Sequence, residues 1–265
     1  MIEITSRDNQ KLKFARAVRD GRERDSIFIE GRRLVGEAVI SQLSIQMMFV
    51  SDAFPSDEAE RLIPEFAGRL YLLPERVFRS ISDTETPQGI AAIADRPSEG
   101  RIAIEHRLSD RGLDPALALV LQRVNNPSNL GAVIRVAEAA GVAGVVTTVG
   151  SADAYSPRSL RAAMGSAFRL PVWENADLSE LISWSQENGI NVAALDIKAN
   201  QTIYELDWKP PRLLIFGSEA HGLDQDLLGS VDEIVKIPMS GSAESLNLAV
   251  SCGITLFEAK RAIGG

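Results

Sequence analysis

The chain has 265 residues, of which 45% are hydrophobic and 24% are charged, and its single cysteine excludes a fold held together by internal disulfides. Its longest uncharged stretches, 38–51 and 139–152, are 14 residues each, whereas a membrane-spanning helix needs about 20 apolar residues. A net charge of −8 argues against general nucleic-acid binding, because phosphate contacts require clustered Lys and Arg. Without a signal-peptide segment at its start, we expect the chain to work in a reducing cytoplasm.

The first third of the chain predicts a small α/β unit. Apolar residues recur with helical spacing over 9–20 and 32–40, and residues 26–31 alternate like a strand. Further strands are expected at Ile45–Val50, Leu70–Leu73 and Gly89–Ala94. The polar stretch 95–115 contains two prolines and two glycines, which is typical of a linker. We therefore expect a first domain over residues 1–95 and a linker over 96–114.

The last domain, residues 115–265, predicts a parallel, doubly wound sheet. Apolar strand-like runs alternate there with segments of helical length. Ligands of such sheets bind at the carboxyl ends of the strands. Three loops that follow predicted strands are rich in Gly, Asn and Ser: NNPSNLG (125–131), GSEAHGL (217–223) and PMSGSAESLN (238–247). The expected strands are Leu117–Val124, Gly144–Val149, Val192–Leu195, Leu213–Phe216 and Glu233–Ile237.

The first of these loops leads into an apolar helix. Asn129 suits the helix N-cap, and Gly131 permits a close approach of the backbone. We place Arg135 near the first turn, where the helix dipole disfavours a cation, so its presence indicates an anionic or electron-rich partner. A surface salt bridge to Glu138 is the alternative explanation.

The other two loops allow both structural and functional interpretations. Glu219 lies between glycines at a strand end, where it is either functional or a solvated carboxylate in a turn. His221 has no second ligand at metal-binding spacing, so we expect no metal site there. Ser245 is a candidate helix cap, but the lack of bulky side chains in this loop predicts a backbone wrapped around a ligand. Cys252 lies in an apolar helix and is expected to be core.

Motifs of the common nucleotide-binding and hydrolytic enzymes are absent. The sequence has no G-x-G-x-x-G after a strand, no Walker A motif and no G-x-S-x-G elbow. Instead, NNPSNLGAVIRVAEAAG, LIFGSEAHGL and IPMSGSAESLNLAVSCGITLFE resemble, in this order, the three motifs of the SpoU (TrmH-like) RNA ribose 2′-O-methyltransferases of the SPOUT superfamily. The segment YSPRSLRAAMGSAFRLPV also resembles the family, so the likeness covers residues 115–265.

This resemblance implies a fold and a cofactor. The segment KFARAVRDGRERDSIFIEGRRLVGEAV is similar to the L30e-like substrate-binding domain fused to many members, and the C-terminal domain is expected to form a trefoil-knotted α/β sheet. Members use S-adenosylmethionine without a metal and work as homodimers that pack through the knot domain. The residues implied to contact the cofactor are Gly217, Ile237 and Leu246, with Met239 and Leu195 as additional candidates.

The resemblance also implies a reaction centre formed by Asn129, Arg135, Glu219, Ser245 and Asn247. Arg135 is expected to stabilise the developing alkoxide of a ribose 2′-hydroxyl and to bind the adjacent phosphate. A guanidinium stays charged at accessible pH, which favours this role over that of a general base. Asn129 would orient Arg135 or the ribose, Glu219 would hold the arginine or the substrate, and Ser245 with Asn247 would shape the ribose pocket. Ala220 replaces a glycine that is common in the family.

Basic residues are concentrated in two stretches of this acidic chain. Residues 1–36 contain nine Lys and Arg against six Asp and Glu, and residues 154–173 contain three arginines and no acid. As groups they are candidates for phosphate contacts, although each alone is explained equally well as a solvated charge. The expected RNA contacts are Arg158, Arg161, Arg169, Arg7, Lys11, Lys13, Arg32 and Arg33.

The resemblance to enzymes with a fused L30e-like domain implies methylation of ribosomal RNA. A tRNA ribose methyltransferase is one alternative, although such enzymes often lack the fused domain. A non-catalytic RNA-binding or ribosome-assembly factor on the same fold is another, and the presence of Arg135, Glu219, Ser245 and Asn247 argues against it. An enzyme that protects ribosomes from an antibiotic would share the same chemistry and motifs.

Overall fold

The computed structural model describes residues 2–66, 68–98, 100–109, 116–218, 222–241 and 245–264. The chain divides into two compact units. The first unit comprises Met1–Pro97 and Tyr155–Phe168, and the second comprises Ser98–Ala154 and Arg169–Gly265. Within the described ranges, no helix combines the length and apolar character needed to cross a membrane.

The helices and strands alternate through both units. The first 97 residues contain β1 (Ile2–Glu3), α1 (Gln10–Arg19), β2 (Ser26–Glu30), α2 (Arg32–Ile40), β3 (Ile45–Ser51), α3 (Ser56–Phe66), β4 (Leu70–Leu73), α4 (Glu75–Phe78) and β5 (Ile90–Asp95). The remainder contains α5 (Gly100–Ser109), β6 (Leu117–Leu121), α6 (Pro127–Ala140), β7 (Gly144–Thr148), α7 (Pro157–Ala163), β8 (Val172–Ala176), α8 (Leu178–Glu187), β9 (Asn191–Leu195), β10 (Gln201–Thr202), β11 (Arg212–Phe216), α9 (Gln225–Leu228), β12 (Glu233–Lys236) and α10 (Leu248–Gly264).

The first unit is the small α/β domain that the sequence predicts. Its five strands lie in the order β1-β4-β3-β5-β2, with β5 antiparallel to both β3 and β2. The buried stripe of α1, formed by Leu12, Ala15 and Val18, packs in one core with Phe28 and Phe49 of the sheet. Helix α7 belongs to this unit and packs on β2.

The second unit contains a seven-stranded sheet in the order β10-β12-β9-β11-β6-β7-β8, and every neighbouring pair is parallel. Strands β6, β7 and β11 are buried along their whole length, as expected for a sheet covered on both faces. Strand β11 lies between β6 and β9, although it follows both in the chain. This parallel α/β architecture confirms the predicted fold class, and it brings the carboxyl ends of all seven strands to one edge.

The interpretation of 96–114 as a linker is wrong for residues 100–109, which form α5. Ile104 and Leu108 are buried in the core of the second unit, one helical turn apart. A Cβ atom at Gly100 would lie 1.9 Å from the carbonyl oxygen of Val172, so the start of α5 is pressed against the backbone of β8. Most residues of α5 are polar and only a narrow stripe is apolar, so composition alone predicted a linker there. Strand β8 itself was not predicted.

Candidate active site

A cavity of about 490 Å³ opens at the carboxyl ends of β9, β11 and β12. We call it the cofactor cavity, because all five candidate cofactor residues line it. Its lining combines apolar side chains and glycines with three charged residues, Asp196, Lys198 and Lys236. The five candidates in its lining are Leu195, Gly217, Ile237, Met239 and Leu246.

Gly217 is required by the tight loop that follows β11. A Cβ atom at this position would lie 2.3 Å from the carbonyl carbon of Gly222 and 2.4 Å from its oxygen. The loop is closed by a backbone hydrogen bond from the Gly222 N–H to the Ser218 carbonyl oxygen at 2.9 Å. The backbone is therefore exposed to the cavity at a point where no side chain fits.

Helices α6 and α10 bring two of the candidate catalytic residues into contact. Asn247 caps α10, because its Oδ1 accepts hydrogen bonds from the Ala249 and Val250 N–H groups at 3.0 and 3.4 Å. Its Nδ2 donates to Oδ1 of Asn129 at 3.3 Å. One to two turns further along, a Cβ atom at Gly253 would lie 3.5 Å from Cγ1 of Val136. Both contacts advance in the same direction along the chain, so the two helices run parallel and both begin at the carboxyl edge.

Two expectations for α6 are wrong. The N-cap is Asn126, whose Oδ1 accepts from the Ser128 N–H at 2.9 Å, and Pro127 is the first helical residue. Asn129 is therefore inside the first turn, where its side chain is available to Asn247. Arg135 lies beyond the second turn, so the dipole of the helix N-terminus does not explain its position.

Arg135 nevertheless lies on the surface of α6. Its side chain is exposed, and it forms no ion pair or hydrogen bond with the part of the chain that the structure describes. The salt bridge to Glu138 does not form, because Glu138 pairs with Arg169 instead. Arg135 and Asn129 are six positions apart, which separates them by about 9 Å along the helix axis and by about 120° around it.

The remaining candidates are distributed between the cavity and the undescribed residues. Ser245 is exposed and lines the cofactor cavity, and Asn247 rather than Ser245 caps the helix. Glu219, Ala220 and His221 lie outside the described residues. Cys252 is fully buried, which raises the pKa of its thiol and confirms its assignment to the core. Among the described residues, no cluster of three His, Cys, Asp or Glu side chains is suited to a metal ion.

A second cavity adjoins the cofactor cavity and has a different character. It measures about 350 Å³ and shares Ser218 and Gly222 with its neighbour. We call it the polar cavity. It continues into a wide groove of about 1130 Å³ beyond the ends of β7 and β8. Sequence reasoning missed the polar cavity, although its residues follow strand ends; its lining is Gln122, Arg123, Asn125, Ser218, Gly222 and Asp224.

Most of the N-terminal candidates for RNA binding have intramolecular partners. Arg32 pairs with Glu58 and lies over the ring of Phe54. The Arg7 guanidinium donates to the Arg76 carbonyl oxygen at 2.8 Å, and the Lys11 ammonium lies 5.1 Å from the Tyr71 ring centroid. By contrast, Lys13 and Arg33 are exposed and form no ion pair within the described residues.

The three arginines of the 154–173 stretch do not belong to one unit. Arg158 and Arg161 fall in the first unit and Arg169 in the second. Arg158 is exposed, whereas Arg161 pairs with Asp83 at 2.6 Å and Arg169 pairs with Glu138. Local charge in the sequence therefore overstates the free positive charge of this stretch.

Two family models match the chain. The model of the SpoU rRNA Methylase family matches residues 116–257, and that of the MRM3-like substrate binding domain matches residues 9–92. Among curated proteins, the 23S rRNA (guanosine(2553)-2′-O)-methyltransferase RlmP of Bacillus subtilis is 33% identical over 262 residues, covering 97% of this chain and 98% of that protein. The 23S rRNA (guanosine-2′-O-)-methyltransferase RlmB of Ralstonia nicotianae is 32% identical, covering 93% and 91%.

Solved structures agree with the sequence matches. The AdoMet-bound rRNA methyltransferase from Sinorhizobium meliloti superposes with a TM-score of 0.82 at 30% identity, covering 98% of this chain and 97% of that one. The SpoU methyltransferase AviRb from Streptomyces viridochromogenes gives a TM-score of 0.82 at 25% identity, covering 97% and 99%. The likeness thus extends over both units of the chain.

Proposed function

The chain belongs to the SpoU rRNA Methylase family, and from this we propose that it transfers the methyl group of S-adenosylmethionine to a ribose 2′-hydroxyl of ribosomal RNA. The observation that carries the proposal is the cofactor cavity, which gathers all five candidate cofactor residues beside the contact between Asn129 and Asn247. Ser245 and Leu246 connect the two features, because they line the cavity and immediately precede Asn247.

The lining of the cofactor cavity fits S-adenosylmethionine. Gly217 leaves the backbone open where a methyl group would collide with Gly222, and Leu195, Ile237 and Leu246 offer apolar surface for an adenine ring. These residues would hold the cofactor through backbone groups and apolar contact. When bound, S-adenosylmethionine supplies a methyl sulfonium, whose methyl group is accepted by an oxygen nucleophile without the need for a metal.

Arg135 acts on the nucleophile. A ribose hydroxyl is a poor nucleophile until its proton is withdrawn. A guanidinium beside the oxygen stabilises the alkoxide that develops, and the proton leaves to the adjacent phosphate, to water or to another group of the site. The same side chain can bind the adjacent phosphate through two parallel hydrogen bonds. Because Arg135 forms no ion pair with the described residues, none of those residues has to release it before it binds the substrate.

Asn129, Asn247 and Ser245 position the ribose. The amide of Asn247 is fixed in orientation, because its oxygen accepts from two backbone N–H groups and its nitrogen must therefore face Asn129. This contact ties the N-terminal ends of α6 and α10 together at the carboxyl edge. We assign Glu219 to holding Arg135 or the substrate, as the family motif implies.

The first unit supplies RNA contacts in this proposal. Support comes from the match of residues 9–92 to a substrate binding domain and from the rRNA named as the substrate of the relatives. Lys13 and Arg33 are the strongest candidates, because their charges are not neutralised within the described chain. The other candidates would have to exchange or share their present intramolecular partners when RNA binds. They are Arg7, Lys11, Arg32, Arg158, Arg161 and Arg169.

The proposal is tested by methyl transfer to RNA with a readout specific for ribose. The full chain is incubated with S-adenosylmethionine carrying a tritiated methyl group and, separately, with 23S rRNA, 16S rRNA and tRNA. Alkali cleaves RNA through attack of the 2′-hydroxyl, so a 2′-O-methyl group leaves an alkali-resistant dinucleotide. We expect label in alkali-resistant dinucleotides from 23S rRNA, and none when the mapped nucleotide is replaced by its 2′-deoxy form.

Three outcomes would contradict the proposal in different ways. Label recovered in alkali-labile mononucleotides would indicate base methylation. Preferential labelling of tRNA would support the tRNA enzyme. Calorimetric titration that detects no binding of S-adenosylmethionine would favour a non-catalytic RNA-binding factor.

We further propose that the enzyme is a homodimer that pairs through α10. Val250 and Phe257 are 49% and 51% exposed and lie seven positions apart, which places them on one face of the helix. Large apolar side chains on one helix face favour contact with a second copy. Val250→Glu and Phe257→Glu should convert dimers to monomers in analytical ultracentrifugation, whereas Ile40→Glu, at an exposed apolar position of α2, should not. A monomeric wild type would refute this part.

A further inference from the structure

We propose that Asp196 and Lys198 hold the amino-acid end of S-adenosylmethionine by binding its ammonium and its carboxylate, an inference that rests on the proposed function. Both residues line the cofactor cavity, and they lie in the turn that follows β9. The motif resemblance gives neither of them a role. Apolar contacts and the loop at Gly217 account for the adenosine part of the cofactor, which leaves its charged end without partners in the protein.

The charged side chains of the cofactor cavity lie on one side of it. Among the described lining residues, all three charges are at the ends of β9 and β12, which are neighbours in the sheet. The loop after β11 and the start of α10 contribute only glycines, serines and apolar side chains. S-adenosylmethionine is divided in the same way, because its adenine is uncharged and its amino-acid end has an ammonium and a carboxylate. The β9 side of the cavity therefore matches the amino-acid end.

The turn after β9 fixes the backbone that carries these two side chains. The Asp196 N–H donates to the Val235 carbonyl oxygen at 3.0 Å, and the Asp196 carbonyl oxygen accepts from the Ala199 N–H at 3.1 Å. In addition, Oδ1 of Asp196 accepts from the Lys198 N–H at 2.7 Å. The carboxylate is half-buried and this bond sets its orientation, so it needs little rearrangement to bind a cation.

Both charged groups have binding capacity that the described chain does not use. Oδ2 of Asp196 accepts no hydrogen bond from the described residues, because the bond from Lys198 uses Oδ1. The Lys198 side chain is exposed and forms no ion pair with those residues, including Asp196. A carboxylate only accepts hydrogen bonds and a lysine ammonium only donates them. The two side chains are therefore complementary to a zwitterion with one ammonium and one carboxylate.

Lys236 is less suited to the carboxylate of the cofactor. Its charge acts on Glu205, whose pKa is lowered mainly by the hydrogen bond from the Thr202 N–H and in part by Lys236. The Glu205 carboxylate is held by the Thr202 N–H and hydroxyl at 2.7 and 2.8 Å. Part of the Lys236 charge is therefore already compensated within the protein.

A second Asp-x-Lys turn of the same unit provides a matched control. The Lys209 N–H donates to Oδ1 of Asp207 at 3.1 Å, which repeats the bond between Lys198 and Asp196. Asp207 and Lys209 are exposed and are not among the residues that line the cofactor cavity. A turn of this kind is therefore not a binding site by itself. What distinguishes Asp196 and Lys198 is their position in the cavity.

Ligands that lack one part of the amino-acid end test this assignment by calorimetry on the full chain. Decarboxylated S-adenosylmethionine lacks only the carboxylate, and we expect the wild type to bind it about threefold to tenfold more weakly than S-adenosylmethionine. S-adenosylhomocysteine and 5′-methylthioadenosine are both thioethers, and only the first has the amino-acid end. We expect S-adenosylhomocysteine to bind at least about tenfold more tightly.

Protein variants assign each charged group of the cofactor to a side chain. Lys198→Met should bind S-adenosylmethionine and its decarboxylated form about equally, with the affinity for the decarboxylated form not reduced. Asp196→Asn can still accept the Lys198 N–H. It should bind S-adenosylhomocysteine about threefold to tenfold more weakly than the wild type does, and 5′-methylthioadenosine equally well. Lys209→Met and Asp207→Asn should keep wild-type affinities for all four ligands.

The outcomes separate this assignment from the proposed function. If none of the four ligands binds, the proposed function fails as well. Equal affinity of the wild type for S-adenosylmethionine and its decarboxylated form would overturn the carboxylate contact and leave the methyltransferase intact. Loss of the preference in Lys236→Met but not in Lys198→Met would overturn the choice of lysine. Weaker binding of 5′-methylthioadenosine to Asp196→Asn would place this carboxylate at the adenosine part of the cofactor instead.

Discussion

The carboxyl edge of the seven-stranded sheet has two halves with different chemistry. At the ends of β9, β11 and β12, the cofactor half is lined by glycines and apolar side chains such as Ile237 and Leu246, with Asp196, Lys198 and Lys236 among them. At the ends of β6, β7 and β8, the polar half carries Gln122, Arg123 and acidic side chains. One half can recognise a ligand mainly by shape, and the other by hydrogen bonds and charge.

The two halves meet at the loop that follows β11. Strand β11 inserts between β6 and β9, so the loop after it, containing Gly217, Ser218 and Gly222, contacts both halves. Methyl transfer requires the two ligands to meet at this boundary. The comparison therefore predicts three classes of substitution. Some impair the binding of S-adenosylmethionine, some impair the binding of RNA, and some impair only the transfer reaction.

Arg135→Ala should have the largest effect. Loss of a group that stabilises a developing oxyanion lowers the rate by about 10²–10³-fold. Because Arg135 is not among the residues that line the cofactor cavity, the affinity for S-adenosylmethionine measured by calorimetry should remain at the wild-type value. Arg101→Ala, which removes another exposed helical arginine of the same unit, is the control and should retain activity. Near-normal transfer by a folded Arg135→Ala protein would remove Arg135 from the reaction centre.

Gly217→Ala should impair the cofactor half alone. The added methyl group would collide with the backbone of Gly222, and overpacking of this kind costs about 1–3 kcal/mol. We expect the dissociation constant of S-adenosylmethionine to rise about tenfold or more in calorimetry, while RNA affinity at the first unit is unchanged. In Gly36→Ala, where a Cβ meets no atom within 4 Å on α2, cofactor affinity should not change. An unchanged dissociation constant in Gly217→Ala would show that this loop does not shape the cavity.

More of the residues that line the cofactor half than of those that line the polar half could be predicted from the sequence. Buried apolar runs identified β6, β7, β9, β11 and β12, and the rule that ligands bind at strand ends selected the loops that follow them. Gly217, Ile237 and Leu246 came from motif resemblance, and the structure gathers them around one cavity. By contrast, Gln122 and Asp224 are 102 positions apart, and only the pairing of β6 with β11 brings them within hydrogen-bonding distance.

Three local expectations for α5 and α6 were wrong, and each error has a physical cause. Proline suits the first helical position, so the Asn-Pro pair at 126–127 marks the start of α6 better than Asn129 does. In α5, Ile104 and Leu108 show helical spacing within a polar segment that composition alone assigns to a linker. The pairing of Glu138 with Arg169 rather than Arg135 depends on contacts 31 positions apart, which no helix pattern contains.

Substitutions of Asn247 test whether its hydrogen bond to Asn129 contributes to the reaction. Asn247→Ala removes the cap of α10 and should lower the free energy of unfolding by about 1 kcal/mol. Asn247→Asp restores the cap but not the donor to Asn129, so its stability in urea denaturation should match the wild type. We expect both variants to lose about threefold to tenfold in kcat, the value of one hydrogen bond. Full activity in Asn247→Asp would limit Asn247 to a structural role.

Salt dependence should separate the binding of the cofactor from the binding of RNA, and the changes in its slope caused by single substitutions are the smallest effects that we predict. S-adenosylmethionine has only one net positive charge, so its affinity should change little between low and moderate salt. RNA affinity should fall steeply, because counterions are released from each neutralised phosphate. Lys13→Ala and Arg33→Ala should each reduce the slope of log affinity against log salt by about one. Arg32→Ala should reduce it less, because Glu58 already neutralises that charge in the free protein. Equal slopes for all three variants in filter-binding assays would show that the ion pair of Arg32 opens at no cost when RNA binds.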